Sequence, residues 1–172
     1  MTRPARPADT VKVSTTVSAD PLRTFEIFTE EVDLWWKHGP RFRQGATRES
    51  TLRFESGLGG RLVEVYGAGG FEVFVLGRVT VWEPGKRLAF EMGGRAFEPD
   101  DPWPLVDIHF EAGAAGTRVS LEMSGFERLP PDHGVFHGLE GAAFHGMMGL
   151  WWSDLIVALR ARLRSREHET RD

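Results

Sequence analysis

Apolar and polar residues alternate most regularly between Gly77 and Met92, where Val79, Val81, Leu88, Phe90 and Met92 fall at every second position of two short runs. Between the runs, Glu83-Pro84-Gly85-Lys86 places proline where a turn needs a fixed φ and glycine where it needs a positive one. The pattern predicts the central hairpin of an antiparallel sheet. Upstream, Val11 to Val17 alternates valine with polar residues, as a half-buried first strand does. Asp20-Pro21 then reads as a helix cap and first helical residue, followed by Leu22, Phe25, Ile27, Phe28 and Val32 at near-helical spacing, with a second short turn through Leu34, Trp35 and Trp36.

Lys37 to Glu49 is polar, carries Gly39-Pro40, and is expected to be a loop. Two hairpins follow: Thr51 to Ser56 returns as Arg61 to Tyr66 after Gly57-Leu58-Gly59-Gly60, and Gly67-Ala68-Gly69-Gly70 turns the chain into a long strand from Phe71 to Trp82, with a bend expected at Gly77. Gly93 to Pro104 is irregular. Leu105 to Ala112 and Thr117 to Phe126 form a last hairpin around Gly113 to Gly116. From about Phe136 to Arg164 the period becomes helical, with Leu139, Ala143, Met147, Leu150, Trp151, Ala158 and Ala161 on one arc and Phe144 and Leu155 at its edge. The order is strand, two short helices, about six antiparallel strands and a long helix, an α+β fold in which a helix lies across a curved sheet.

Composition narrows the classes. With 172 residues, 41% of them apolar, six Trp and twelve Phe, the chain suits one domain with a large aromatic core over residues 11–164. A flexible leader at 1–10 and a flexible tail at 165–172 complete the expected organisation. Cysteine is absent, which excludes disulfides, thiol nucleophiles and cysteine-based zinc sites. A formal net charge of −4 disfavours a nucleic-acid partner. No apolar run approaches the roughly 20 residues of a membrane helix, and no signal-peptide pattern opens the chain, so no membrane partner is expected and the cytoplasm is the default location.

Several local patterns carry a resemblance that spans about Val11 to Leu163. They are Asp20-Pro21-Leu22-Arg23-Thr24-Phe25, Val32-Asp33-Leu34-Trp35-Trp36, Leu58-Gly59-Gly60-Arg61, Gly77 through Met92, Gly116-Thr117-Arg118-Val119 and Gly149-Leu150-Trp151. In this order they resemble the helix-grip fold of the START/birch-pollen-allergen (SRPBCC) superfamily, and within it the group named after the activator of the heat-shock-protein-ninety ATPase. The resemblance implies six to seven antiparallel strands wrapped on the long C-terminal helix, with a cavity between them. About function it implies little, because the superfamily includes lipid carriers, polyketide cyclases and chaperone regulators.

Candidate chemistry follows from that geometry. Trp35, Trp36, Phe42, Phe54, Tyr66, Phe74, Trp82, Phe90, Phe110, Met147 and Trp151 are the candidate lining for a small hydrophobic or aromatic ligand, weighed against simple core packing. Asp154 falls within the apolar arc of the last helix, as a cavity acid or as the structural partner of an arginine from the sheet such as Arg78. Asp107 and His109 share a strand face opposite Val106, Ile108 and Phe110 and are expected outside. His133, His137 and Glu140 have ligand-like spacing, but the prolines and glycines around them argue for a solvated connection, so neither metal nor cofactor is expected. No nucleophile elbow, paired-carboxylate motif or His-Glu-x-x-His occurs, and no catalytic residue is assigned. Gly138, Gly141, His145, Gly149, Trp152 and Ile156 fall opposite the predicted core arc, which makes the Trp152 and Ile156 face a candidate homodimer seam. The leading expectation is ligand binding without strong catalysis. A cyclase-like enzyme and a regulator of a chaperone or other protein are the alternatives.

Overall fold

The computed structural model describes residues 10–45, 48–67, 69–70 and 72–171. Strand β1 (Val11–Val17) leads into helix α1 (Pro21–Glu30) and the single turn of α2 (Val32–Trp35). Six strands follow: β2 (Ser50–Phe54), β3 (Arg61–Tyr66), β4 (Glu72–Glu83), β5 (Arg87–Met92), β6 (Leu105–Gly113) and β7 (Gly116–Ser124). Helix α3 (Gly141–Glu169) closes the chain. The expected leader up to Asp9, and Phe71 at the expected start of the long strand, lie outside the described residues.

All seven strands form one antiparallel sheet in the order β1-β7-β6-β5-β4-β3-β2. The first strand therefore joins the last, and β1 and β2 are the two edges. Local chemistry sets the elements as their sequence predicts. The Asp20 carboxylate accepts the Arg23 amide at 2.8 Å and caps α1, with Pro21 at its first position. The β4–β5 turn closes with the Lys86 amide on the Glu83 carbonyl at 2.9 Å, and Gly85 takes the positive φ of +74° that the turn demands. Irregular register between Leu62 and Val63, and again between Val79 and Val81, bends the sheet into a curl. Gly77 sits at the first of these bends, where a Cβ would come within 3.1 Å of the Glu91 carbonyl oxygen and 3.2 Å of the Phe90 ring.

The core lies on the concave side of this curl, beneath α1, α2 and α3. On β6, Val106, Ile108 and Phe110 point into it, while Asp107 and His109 face outward, as the period-two pattern requires. Burial alone would raise the Asp107 carboxyl, but the bidentate Arg87 guanidinium at 2.9 Å overrides it, and the group stays below the usual carboxylate range.

Helix α3 departs from expectation in both limits and phase. It begins at Gly141 rather than near Phe136, and it runs through 165–169, where the sequence predicts a tail. Its buried face is Phe144, Trp152, Leu155, Ile156, Leu159 and Leu163. Leu150, placed on the core arc by its spacing, is 66% exposed, and Ala143 and Ala161 are exposed as well. Trp152 and Ile156, the expected dimer seam, are 0% and 4% exposed inside the single chain and cannot form one. Apolar residues occur all round this helix, so its wheel admits two arcs; contact with β1 and α2 selects the second. The helix is long and apolar enough to cross a membrane by length and composition alone, although no run of that length stands out in the sequence.

Candidate functional site

Strong local patterns hold the aromatic residues beneath α3. The Trp35 and Trp36 indoles are fixed by donating to backbone carbonyls, Trp35 to Phe28 at 3.0 Å and Trp36 to Phe42 at 3.1 Å. Trp36 meets Trp151 and Trp152 edge-on with centroids 5.8 Å apart, and Phe42 stacks on Trp151 at 5.9 Å. A second group forms deeper in the curl. Phe54 touches Trp82 and Phe90, Phe25 touches Trp82 and Phe110, and Phe28 links Phe54 and Phe110 to Trp35 with a 4.8 Å contact. Nine expected lining residues thus fall into two joined groups, Trp35, Trp36, Phe42 and Trp151 in one and Phe54, Trp82, Phe90 and Phe110 in the other, with Met147 half-buried against the core. Edge-to-face packing of this kind adds about 1 kcal/mol per pair beyond area burial.

Asp154 stands at the rim of this layer rather than inside it. Its carboxylate accepts from Arg41 at 2.9 Å, and the side chain keeps 41% of its exposure. The partner is not Arg78, whose guanidinium lies over the Trp103 ring at 4.5 Å. Arg41 also lies over Phe42, and its carbonyl accepts the Trp151 indole at 2.8 Å, so the 37–43 loop is pinned to α3 through one arginine residue.

Tyr66 and Phe74 belong to a different neighbourhood, at the β2–β4 end of the concave face. Cross-strand pairing sets Leu52 opposite Glu64, Glu64 opposite Phe74 and Ser50 opposite Tyr66. Glu64 is fully buried, and its carboxylate accepts the Gln44 amide at 2.8 Å, the Gly45 amide at 3.2 Å and the Ser50 hydroxyl at 2.8 Å. The Tyr66 hydroxyl beside it is buried and makes no hydrogen bond. Burial pushes its pKa up to about 12, with the Glu64 charge adding to the rise and Arg95 opposing it. Arg95 lies over the Phe74 ring at 5.4 Å and donates to the Gln44 carbonyl, tying the 93–104 segment to the same loop.

Sequence reasoning missed Glu64 and also Arg43, whose side chain is 2% exposed. Arg43 donates to Asp33 at 2.8 Å and to the Trp36 carbonyl at 2.8 Å, and Asp33 in turn accepts the Leu52 amide. For Glu64 a signal was present: it sits between Leu62 and Tyr66 at period two, so it shares their inward face. Arg43 lies in an aperiodic loop that gives no comparable cue.

His133, His137 and Glu140 do not share a helix face. His133 accepts the Val135 amide on Nδ1 at 3.1 Å and contacts Asp101 through Nε2 at 2.9 Å, so both ring nitrogens are engaged. His137 adopts a left-handed φ of +50°, and Glu140 is the extended residue before α3. No group of three metal-ligating side chains occurs among the described residues.

No family model and no curated protein matches the sequence. Solved structures do. The chain is similar to NE0264 from Nitrosomonas europaea, with a TM-score of 0.63 and 15% identity over 95% of this chain and 99% of that one. It is similar to a subunit of the Aha1 dimer from Colwellia psychrerythraea, with a TM-score of 0.57 and 16% identity over 90% and 95%. It is also similar to DynU16, from the dynemicin biosynthetic locus, with a TM-score of 0.60 and 20% identity over 92% of this chain and 48% of that one. At these identities the likeness is one of fold, and the fold is the helix grip that the sequence patterns imply.

Proposed function

We propose that the protein binds a small hydrophobic or aromatic molecule between α3 and the concave face of the sheet. One observation carries this reading: a continuous aromatic layer runs under α3 and comes to the surface at Trp151 and Met147, beside a helix entry with left-handed residues at His137, Gly138 and Gly141. Aromatic edges and faces are good receptors for flat apolar ligands, and Gly138 and Gly141 leave the helix entry beside them without side chains. The reading assigns the protein to the cytoplasm and gives it no cofactor. Native mass spectrometry of the protein from its own host tests it. A near-stoichiometric apolar molecule released on denaturation supports it, as does saturable binding of the neutral probe N-phenylnaphthylamine. Absence of both overturns it. The same spectrum reads whether the chain is a homodimer, as the similar Aha1 structure is, and whether a second protein such as a chaperone accompanies it.

A second reading, an enzyme acting on a polyketide-like substrate, is favoured by Glu64 and Tyr66 standing together on the inner face of β3. It ranks second because the Glu64 carboxylate is already taken up by two loop amides and the Ser50 hydroxyl. Turnover lost in Tyr66→Phe, with ligand binding kept, would promote it.

A further inference from the structure

Two of the arginines near the end of α3 stand apart from the others. Arg162 and Arg166 contact Glu31 at 2.9 and 3.1 Å, and Arg166 also contacts Glu169 at 2.9 Å. Arg160 and Arg164, one turn apart on the same helix, make no ion pair among the described residues. Both line a cleft of about 260 Å³ whose opposite wall is the end of β1, Thr16, Val17 and Ser18, with Ala115 of the β6–β7 turn at its edge. Its floor is apolar, formed by Val17 and Leu163, which are 4% and 2% exposed.

Side chains four apart on a helix are about 6 Å from one another, so two guanidinium forks can bracket a single tetrahedral oxyanion. Left alone, two like charges at that spacing repel; an anion between them removes the repulsion and gains charge-assisted hydrogen bonds. Thr16 brings a hydroxyl to the facing wall, while the Ser18 hydroxyl is already given to Glu167. Glu167 is the carboxylate that reaches the rim, and it makes no ion pair with either arginine. The charges at the cleft are therefore two positive against one negative. A cleft this narrow on a chain of net charge −4 suits a small soluble anion rather than an anionic membrane or a polymer.

We propose that this cleft binds the phosphate group of a small phosphomonoester, with Arg160 and Arg164 on the phosphate oxygens and the Val17–Leu163 floor against the adjoining carbon atoms. The site is separate from the aromatic layer and stands whether or not that layer takes a ligand. Amide chemical shifts, followed while phenyl phosphate is added at constant ionic strength, test the assignment. The expected result is saturating shifts at Thr16, Val17, Ser18 and Leu163, tighter binding than inorganic phosphate, and a loss of about tenfold or more in Arg160→Ala/Arg164→Ala. Both arginines are exposed, so the variant should keep the parent circular-dichroism spectrum; Arg160→Lys/Arg164→Lys, which keeps charge but loses the fork, should bind with intermediate strength. Shifts that fail to saturate, that chloride reproduces, or that survive the double alanine variant overturn the site, and equal affinity for inorganic phosphate overturns the role of the floor. Cosedimentation with phosphatidate vesicles and no response to phenyl phosphate would replace it with a membrane-facing surface.

Discussion

Gly45 lies so close to the ring of Tyr66 that a Cβ there would overlap Cε1 and stand 2.9 Å from Cζ. The ring cannot retreat, because it is buried and Arg48 lies over it at 4.8 Å. Gly45→Ala is therefore an overpacking change, expected to cost about 1–3 kcal/mol in urea denaturation. Wild-type stability in that variant would show that the loop moves freely over the sheet.

Glu64 is the polar post on which this loop rests. Glu64→Ala leaves two amides and a hydroxyl without their acceptor in a buried place, and a loss of about 3 kcal/mol is expected. Glu64→Gln keeps one acceptor oxygen and should lie between. Hydrogen exchange should speed up at Gln44 and Gly45 in both variants; unchanged exchange there would contradict the anchoring role.

Tyr66 is the chain's one tyrosine, so tyrosinate absorbance reads it directly. It is expected to titrate near pH 12 in the folded protein. The folded pKa is raised above the unfolded value of about 10, so this contribution to stability is fully present below pH 10 and is lost as pH rises through about 12. Tyr66→Phe should flatten the alkaline limb of the stability profile. A native tyrosine titrating near 10 would place the hydroxyl in water.

The phase of α3 is tested by two residues of a single turn that face opposite ways. Trp152→Ala empties a fully buried site and should cost about 3–5 kcal/mol, whereas Leu150→Ala, at 66% exposure, should change stability by less than about 0.5 kcal/mol. Equal effects would restore the arc that the spacing predicts.

The sheet is legible in the sequence because each strand repeats a two-residue period between turns whose glycines and prolines carry their own instructions, as at Pro84-Gly85. The helix phase is not, because Leu150 and Val157 face solvent while Trp152 and Ile156 face the core, and a one-dimensional apolar pattern does not rank one side over the other. Of the candidate site, the aromatic layer is legible by residue type alone. Its polar fixtures are not. Arg41, which holds Asp154 and Trp151, and Arg43, which holds Asp33, come from a loop with no period, and only the folded chain brings them to their partners.

The joining of β1 to β7 also sets a timetable. Val17 and Thr117 are partners about a hundred residues apart, so closing that pair costs far more chain entropy than closing any of the neighbouring hairpins. On a ribosome, β1 emerges first and has no strand to pair with until β7 follows it out, while β2 through β6 can zip up two at a time as they appear. Strand β1 is alternating rather than wholly apolar, and its Lys12, Ser14 and Thr16 keep it soluble during the wait. The first strand made is thus expected to seat last, and its docking to complete the bed on which α3 lies.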